Sequence, residues 1–193
     1  MAQVRVKLKA RRQINIHNDL GGAAFYFKKK VDHRIETDDR EGISFEIMAG
    51  LTFLAFEAEA KFNFLGYKLI KGWNEREQAS KKVEAVCGAL GVKPDHAARP
   101  YSSLSRLRTF RNTLAHGKPD EHTFDQEVVA TVEELEAMGI LHAEWESHID
   151  QTFLSEAYDD LDQIWKDLLE KSGLTIFDTL THGSSHMSFI EHV

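Results

Sequence analysis

The sequence predicts an all-α protein, a compact bundle of about five helices behind a basic amino-terminal arm. Three observations carry that expectation. After residue 42, apolar residues recur at helical spacing through most of the chain. Helix stops punctuate those runs, at Gly91 with Pro94, Gly117 with Pro119, Gly139 and Gly173. With 193 residues, 42% of them hydrophobic, the chain can bury a core without a disulfide, and Cys87 is its only cysteine. The expected division is a basic segment over 1–42 (irregular, or a short strand or helix), a helical domain over 43–173 and a tail over 174–193.

The arm comes first. "QVRVKLKA" alternates Val4, Val6 and Leu8 with basic residues, a strand-like pattern over a few positions. "GGAAFYFKKKVDHRI" fits strand or helix equally. The first predicted helix runs from Ile43 to about Lys71. Ile47, Met48, Leu51, Ala55, Ala58, Phe62, Leu65 and Leu69 form one stripe; Phe45, Phe53, Phe56, Phe64 and Tyr67 form a second arc. A helix apolar on two sides is expected to be buried on two sides, against the core and against either the arm or a second copy. Glu57 and Lys61 lie in the polar strip between, spaced as an i,i+4 pair.

A second helix is expected over 75–90, with Ala79, Val83, Val86 and Leu90 inward. A third follows Pro100, from Tyr101 to His116, with Leu104, Leu107, Phe110 and Leu114 as its apolar arc. A fourth is expected over 125–138, burying Val128, Val129, Val132, Leu135 and Met138. A fifth, over 150–171, would bury Phe153, Leu154, Ala157, Leu161, Ile164, Trp165 and Leu168. The Ser-, Thr- and His-rich tail is expected to pack loosely or not at all.

Charge narrows the partners. The net charge is −7, which argues against a dedicated duplex-DNA binder. Residues 1–30 carry eight basic side chains against Asp19 alone, a formal +7 that leaves −14 for the remainder. Such an arm could touch nucleic acid or an acidic partner surface. A lone cysteine suits the reducing cytoplasm. The longest apolar region is broken by Glu57 and Glu59, so no membrane span is expected.

The chemistry concentrates in "RTFRNTLAHGKP", at the end of the third predicted helix. Arg108, Asn112 and His116 form a ridge at i, i+4, i+8. Arg111 falls at the edge of the apolar arc. An arginine there must snorkel, pair with a buried carboxylate or receive an anion; Glu57 is a candidate partner. A structural reading also accounts for His116, because a histidine in a last turn caps carbonyls and favours the helix dipole.

"RNTLAH", with Arg111, Asn112 and His116, resembles the signature of the HEPN superfamily: an arginine and a histidine separated by a gap of four to six residues, the first of them polar and often asparagine. The resemblance covers roughly residues 43–172 and implies a helical bundle with the motif on a late helix. It also implies a homodimer and metal-independent RNA cleavage without a cofactor. RNA supplies its own nucleophile, the 2′-hydroxyl. His116 would act as general base or acid, since an unperturbed imidazole titrates near pH ~6.5. Arg111 would fork onto the phosphate, Asn112 would orient the imidazole or the phosphate, and Arg108 and Lys118 would add phosphate contacts. The products would be a 2′,3′-cyclic phosphate and a 5′-hydroxyl. Members of the superfamily also serve as non-catalytic nucleotide-binding or regulatory modules beside a nucleotidyltransferase-type partner, in toxin–antitoxin or phage-defence pairs.

Metal readings are weaker. "HAEWESH", with His142, Glu144, Glu146 and His148, does not match a zinc-hydrolase helix, and Trp145 reads as a packing anchor. His182 and His186 have i,i+4 spacing in a stretch poorly suited to a helix.

Overall fold

The order of elements follows from where apolar stripes can be covered. The computed structural model describes residues 3–117, 119, 121, 123–138 and 144–193. Strand β1 (Val4–Gln13) leads into helix α1 (His17–Glu36), which turns back on α2 (Ile43–Leu69). Helices α3 (Ala79–Ala89) and α4 (Tyr101–Ala115) follow, then a short α5 (Val132–Ala137) and a 3-10 turn (Glu144–His148). The chain closes with α6 (Gln151–Ser172), α7 (Ile176–Thr179) and β2 (His182–His192).

The central element is α2. Its stripe of Ile47, Leu51, Ala55, Ala58, Phe62 and Leu65 is buried, and so is Leu54. Helix α1 covers one side with Ala24 and Val31, α4 supplies Leu107 and Phe110, and α6 supplies Phe153, Leu154 and Leu161. Toward the other end, Val83, Val86 and Cys87 of α3 meet Ile164, Trp165 and Leu168 of α6 around Phe62 and Leu65. Trp73 lies flat on α2 because Gly66 has no Cβ; one added there would enter the indole ring. The expected aromatic arc divides. Phe64 is buried and Phe53 half-buried, whereas Phe45, Phe56 and Tyr67 are exposed.

The expected all-α class is corrected. The fold is mixed: largely helical, with a two-stranded antiparallel sheet of β1 and β2. The alternation in β1 found its match in a tail expected to pack loosely, since Met187 and Phe189 alternate with Ser188 in the same way. Directly opposed pairs share a face. Val6 with Phe189 and Leu8 with Met187 form an apolar face; Lys7 with Ser188, Lys9 with His186 and Arg11 with Ser184 form a basic one. Both faces are largely exposed.

The base of this ribbon is stitched by side-chain amides. Asn15 Nδ2 donates to the carbonyls of Thr179 (2.9 Å) and Leu180 (3.0 Å), and Asn18 Nδ2 donates to Thr179 at 2.8 Å. These bonds give the carbonyls at the carboxy-terminal end of α7 partners that no helix ladder supplies.

Two further expectations change. Residues 17–36 form a long helix against α2, so the boundary drawn at residue 42 falls in a turn inside the bundle. The helix expected over 125–138 begins only at Val132, where a Thr131–Glu134 capping box starts it. Its supposed inward set is exposed, Val129 completely. An apolar period of helical spacing was present there without a surface for it to cover. The stop expected at Gly139 lies outside the described residues.

If Asn15 fixes the ribbon, Asn15→Ala should speed amide hydrogen exchange throughout β1 and β2 by about 30-fold, while α2 and α6 keep their protection. Two lost hydrogen bonds of about 1 kcal/mol each set that scale.

Candidate functional site

Helix α4 carries the predicted residues, and its placement is fixed from its first turn. Arg99 Nε and Ser103 Oγ both donate to the buried Asp160 of α6, at 2.8 and 2.5 Å. Arg106 lies over the Phe153 ring at 3.7 Å. Leu107 and Phe110 complete the anchorage, which leaves the far end of α4 against the middle of α2 and the start of α3.

Arg111 is half-buried there, and its carboxylate partner is Glu59, not Glu57. Its Nη2 donates to Glu59 Oε2 at 2.7 Å, and Lys82 Nζ donates to Glu59 Oε1 at 2.8 Å. The guanidinium also lies 5.8 Å from the centre of the Phe56 ring. Glu57 and Glu59 are two residues apart on one helix, roughly 200° around its axis, so they face different neighbours. Burial alone would raise the Glu59 carboxyl, but the hydrogen bond and charge of Lys82, then Arg111, outweigh it and hold it below the usual carboxylate range.

Glu57 faces α1 and α6 instead. It takes the i,i+4 bond from Lys61 at 2.7 Å, both side chains being buried. A small cavity of about 170 Å³ beside them is lined also by His17, Tyr158 and Asp162. Burial pushes the Glu57 carboxyl up against the pull of Lys61. Burial, with the positive charge of Lys61 behind it, lowers His17 to about 4.

Two depressions meet at Arg108 and Arg111. One is a cavity of about 300 Å³ between α2, α3 and α4 with an apolar floor that includes Ala58, Phe62, Val83 and Leu104. The other is a groove of about 550 Å³ that runs past Gln78, Ser80 and Asn112. Arg108 lines both, is half-buried and has no carboxylate partner among the described residues.

His116 caps α4, its backbone N–H donating to the Asn112 carbonyl at 2.9 Å. Its side chain is exposed, borders neither depression and makes no hydrogen bond among the described residues. It follows Arg111 by five residues, roughly 140° around the helix axis, so the two do not converge within one copy. The ridge Arg108–Asn112–His116 is present, and the Asn112 side chain is exposed without a partner among the described residues. Lys118 lies outside the described residues.

Sequence reasoning missed Glu59 and Lys82. A signal existed for the lysine. Lys82 sits three residues after Ala79 and four before Val86, at the edge of the apolar arc of α3, where an ammonium turned inward requires an acid.

The weaker candidates resolve differently. His182 and His186 lie on β2 and are exposed. Trp145 packs against the core as expected; His142 lies outside the described residues. Cys87 is fully buried, and burial pushes its thiol up. Among the described residues no three His, Cys, Asp or Glu side chains converge as metal ligands. Among them also, no helix is long and apolar enough to cross a membrane.

No protein-family model, curated protein or solved structure matches this chain.

Removal of the Glu59 carboxylate leaves the buried Lys82 ammonium without an acceptor. Glu59→Ala should therefore cost about 2 kcal/mol at pH 7 in urea unfolding. A carboxyl depressed in the folded state stabilises above its unfolded value near 4.5 and loses that contribution as pH falls through the folded value. Wild type and Glu59→Ala should therefore converge below pH 4.5. The His17 window lies higher. Between its unfolded value of 6.5 and about 4, the folded state binds fewer protons, so acidification destabilises it. His17→Leu should flatten the decline of the urea midpoint across that range; an unchanged slope would assign the decline to other groups.

Proposed function

We propose that this chain is a HEPN-type, metal-independent ribonuclease that acts as a homodimer in the cytoplasm. One observation carries the reading. Arg108, Asn112 and His116 lie in a row on α4, and none of the three side chains has a hydrogen-bonding or charged partner among the described residues. Three polar groups in a row with unused capacity are suited to a phosphodiester.

Arg111 supports the same reading. Glu59 takes one Nη2 bond and so fixes the guanidinium plane. An arginine has five N–H donors in a rigid fork, and those on Nε and Nη1 remain for a phosphate oxygen. In the proposed reaction, one His116 removes the 2′-hydroxyl proton. O2′ then attacks phosphorus and closes the 2′,3′-cyclic phosphate. Arg111 neutralises the charge growing on the non-bridging oxygens. The departing O5′ takes a proton from the His116 of the second copy. Acid and base thus come from the two sides of a two-fold axis, which accommodates the divergence of Arg111 and His116 on one helix.

A non-catalytic module that binds a nucleotide or phosphate and pairs with a nucleotidyltransferase-type antitoxin is favoured by a different observation. Arg111 is already paired with Glu59, which suits a residue that holds the fold and lends its free edge to a ligand.

The separating experiment uses EDTA-treated protein and labelled single-stranded and hairpin RNA. Wild type should yield products ending in a 2′,3′-cyclic phosphate. Arg111→Ala and His116→Ala should each lower the rate at least about 100-fold. Equal traces of cleavage from wild type and the double variant would reject catalysis, and retained RNA binding lost in Arg108→Ala would then favour the module.

A further inference from the structure

We infer that the cavity between α2, α3 and α4 is a nucleobase subsite, taking the base of the nucleotide whose 3′-phosphate rests on Arg108 and Arg111. This rests on the phosphate reading of α4 and adds a determinant of sequence preference to it. The cavity of about 300 Å³ is at the small end of ligand pockets and large enough for a planar ring system. Its floor is apolar, with Phe62 and Leu104 facing the space a ring would fill. Both arginines stand where the cavity meets the open groove, so one molecule can place a ring in the first and an anion in the second.

The polar lining adds direction. Each Glu59 oxygen receives one donor, from Lys82 or Arg111, and retains capacity for another. Glu84 lies on the rim, engaged by His96 at 2.8 Å, and Ser80 and Ser105 supply hydroxyls. Two carboxylates favour a base that donates from an exocyclic amino group. Adenine, guanine and cytosine have one; uracil has none. Lys82 has a fully buried side chain, which holds Glu59 in place so that the cavity is formed before a ligand arrives. The lining charges, three cations against two carboxylates with His96 paired to one of them, leave a small positive balance for the phosphate.

The test is calorimetric titration of the full chain with 3′-AMP, 3′-CMP, 3′-GMP, 3′-UMP, adenosine and inorganic phosphate. The amino-bearing nucleotides should bind at least tenfold more tightly than 3′-UMP, phosphate or adenosine. Arg108→Ala should weaken 3′-AMP about tenfold and leave adenosine unchanged. Ser105→Phe, which plugs the cavity from a half-buried position on its wall, should abolish nucleotide binding while phosphate still binds; Ser80→Phe repeats the plug from α3 should the first variant fail to fold. Nucleotides that bind no better than phosphate, or binding that survives a folded plug variant, would overturn the subsite. The ribonuclease reading fails separately: cleavage that persists in Ser105→Phe with altered base preference supports both ideas, and cleavage with unchanged preference removes the subsite alone.

Discussion

Helix α2 sets the terms for the rest of the molecule. A helix with apolar side chains around most of its circumference must be covered on more than one side, and its length exceeds what any one neighbour can cover. Helix α1 takes one side, α3 and α4 take another, and α6 runs across both core clusters. The acidic residues of α2 follow from that division. Glu46, Glu57 and Glu59 point toward different neighbours, and each is met by a basic group: Lys30 for Glu46, Lys61 for Glu57, and Lys82 with Arg111 for Glu59. Charge here fixes which element sits where, because a mispositioned neighbour would leave a half-buried carboxylate alone.

Glu59 therefore links the core to the surface chemistry of α4. It joins a lysine with no access to water to an arginine with partial access, and that arginine stands with Arg108 where the two depressions meet. Rigid placement of a guanidinium by a carboxylate on another helix suits recognition of a phosphate, since little ordering remains to be done on binding. The same arrangement explains why Arg111 tolerates a position at the edge of the apolar arc, between Leu104 and Leu107, that an unpaired arginine would avoid.

Much of the helical core was legible in the sequence. The stripe on α2, the inward set of α6 and the limits of α4 follow from period and from Gly and Pro stops, because burial on one side leaves a strong periodic trace. What escaped was pairing between distant segments. The halves of the ribbon lie at opposite ends of the chain, and "HGSSHMSFIEH" reads as a polar tail until β1 lies beside it. Val128 to Met138 misled for the opposite reason, since a periodic apolar run signals a helix only where a surface exists to receive it. At the site, Arg108, Arg111 and Asn112 stood out as a pattern on one helix. Their carboxylate did not, because Glu57 and Glu59 are two residues apart and which of them faces α4 depends on the rotation of α2.

The ribbon has a mechanical consequence. Its antiparallel register puts Val4 beside His192, and the Val193 backbone N–H donates to the Gln3 carbonyl at 2.9 Å. Tension applied between those two ends loads the ladder one pair at a time, as a zipper, rather than shearing all pairs together. Force would reach Asn15 and the bundle only after the last pair, Gln13 with His182, had parted. The ribbon is thus a yielding leader, and the helices carrying Arg108 and Arg111 stay unloaded while it opens.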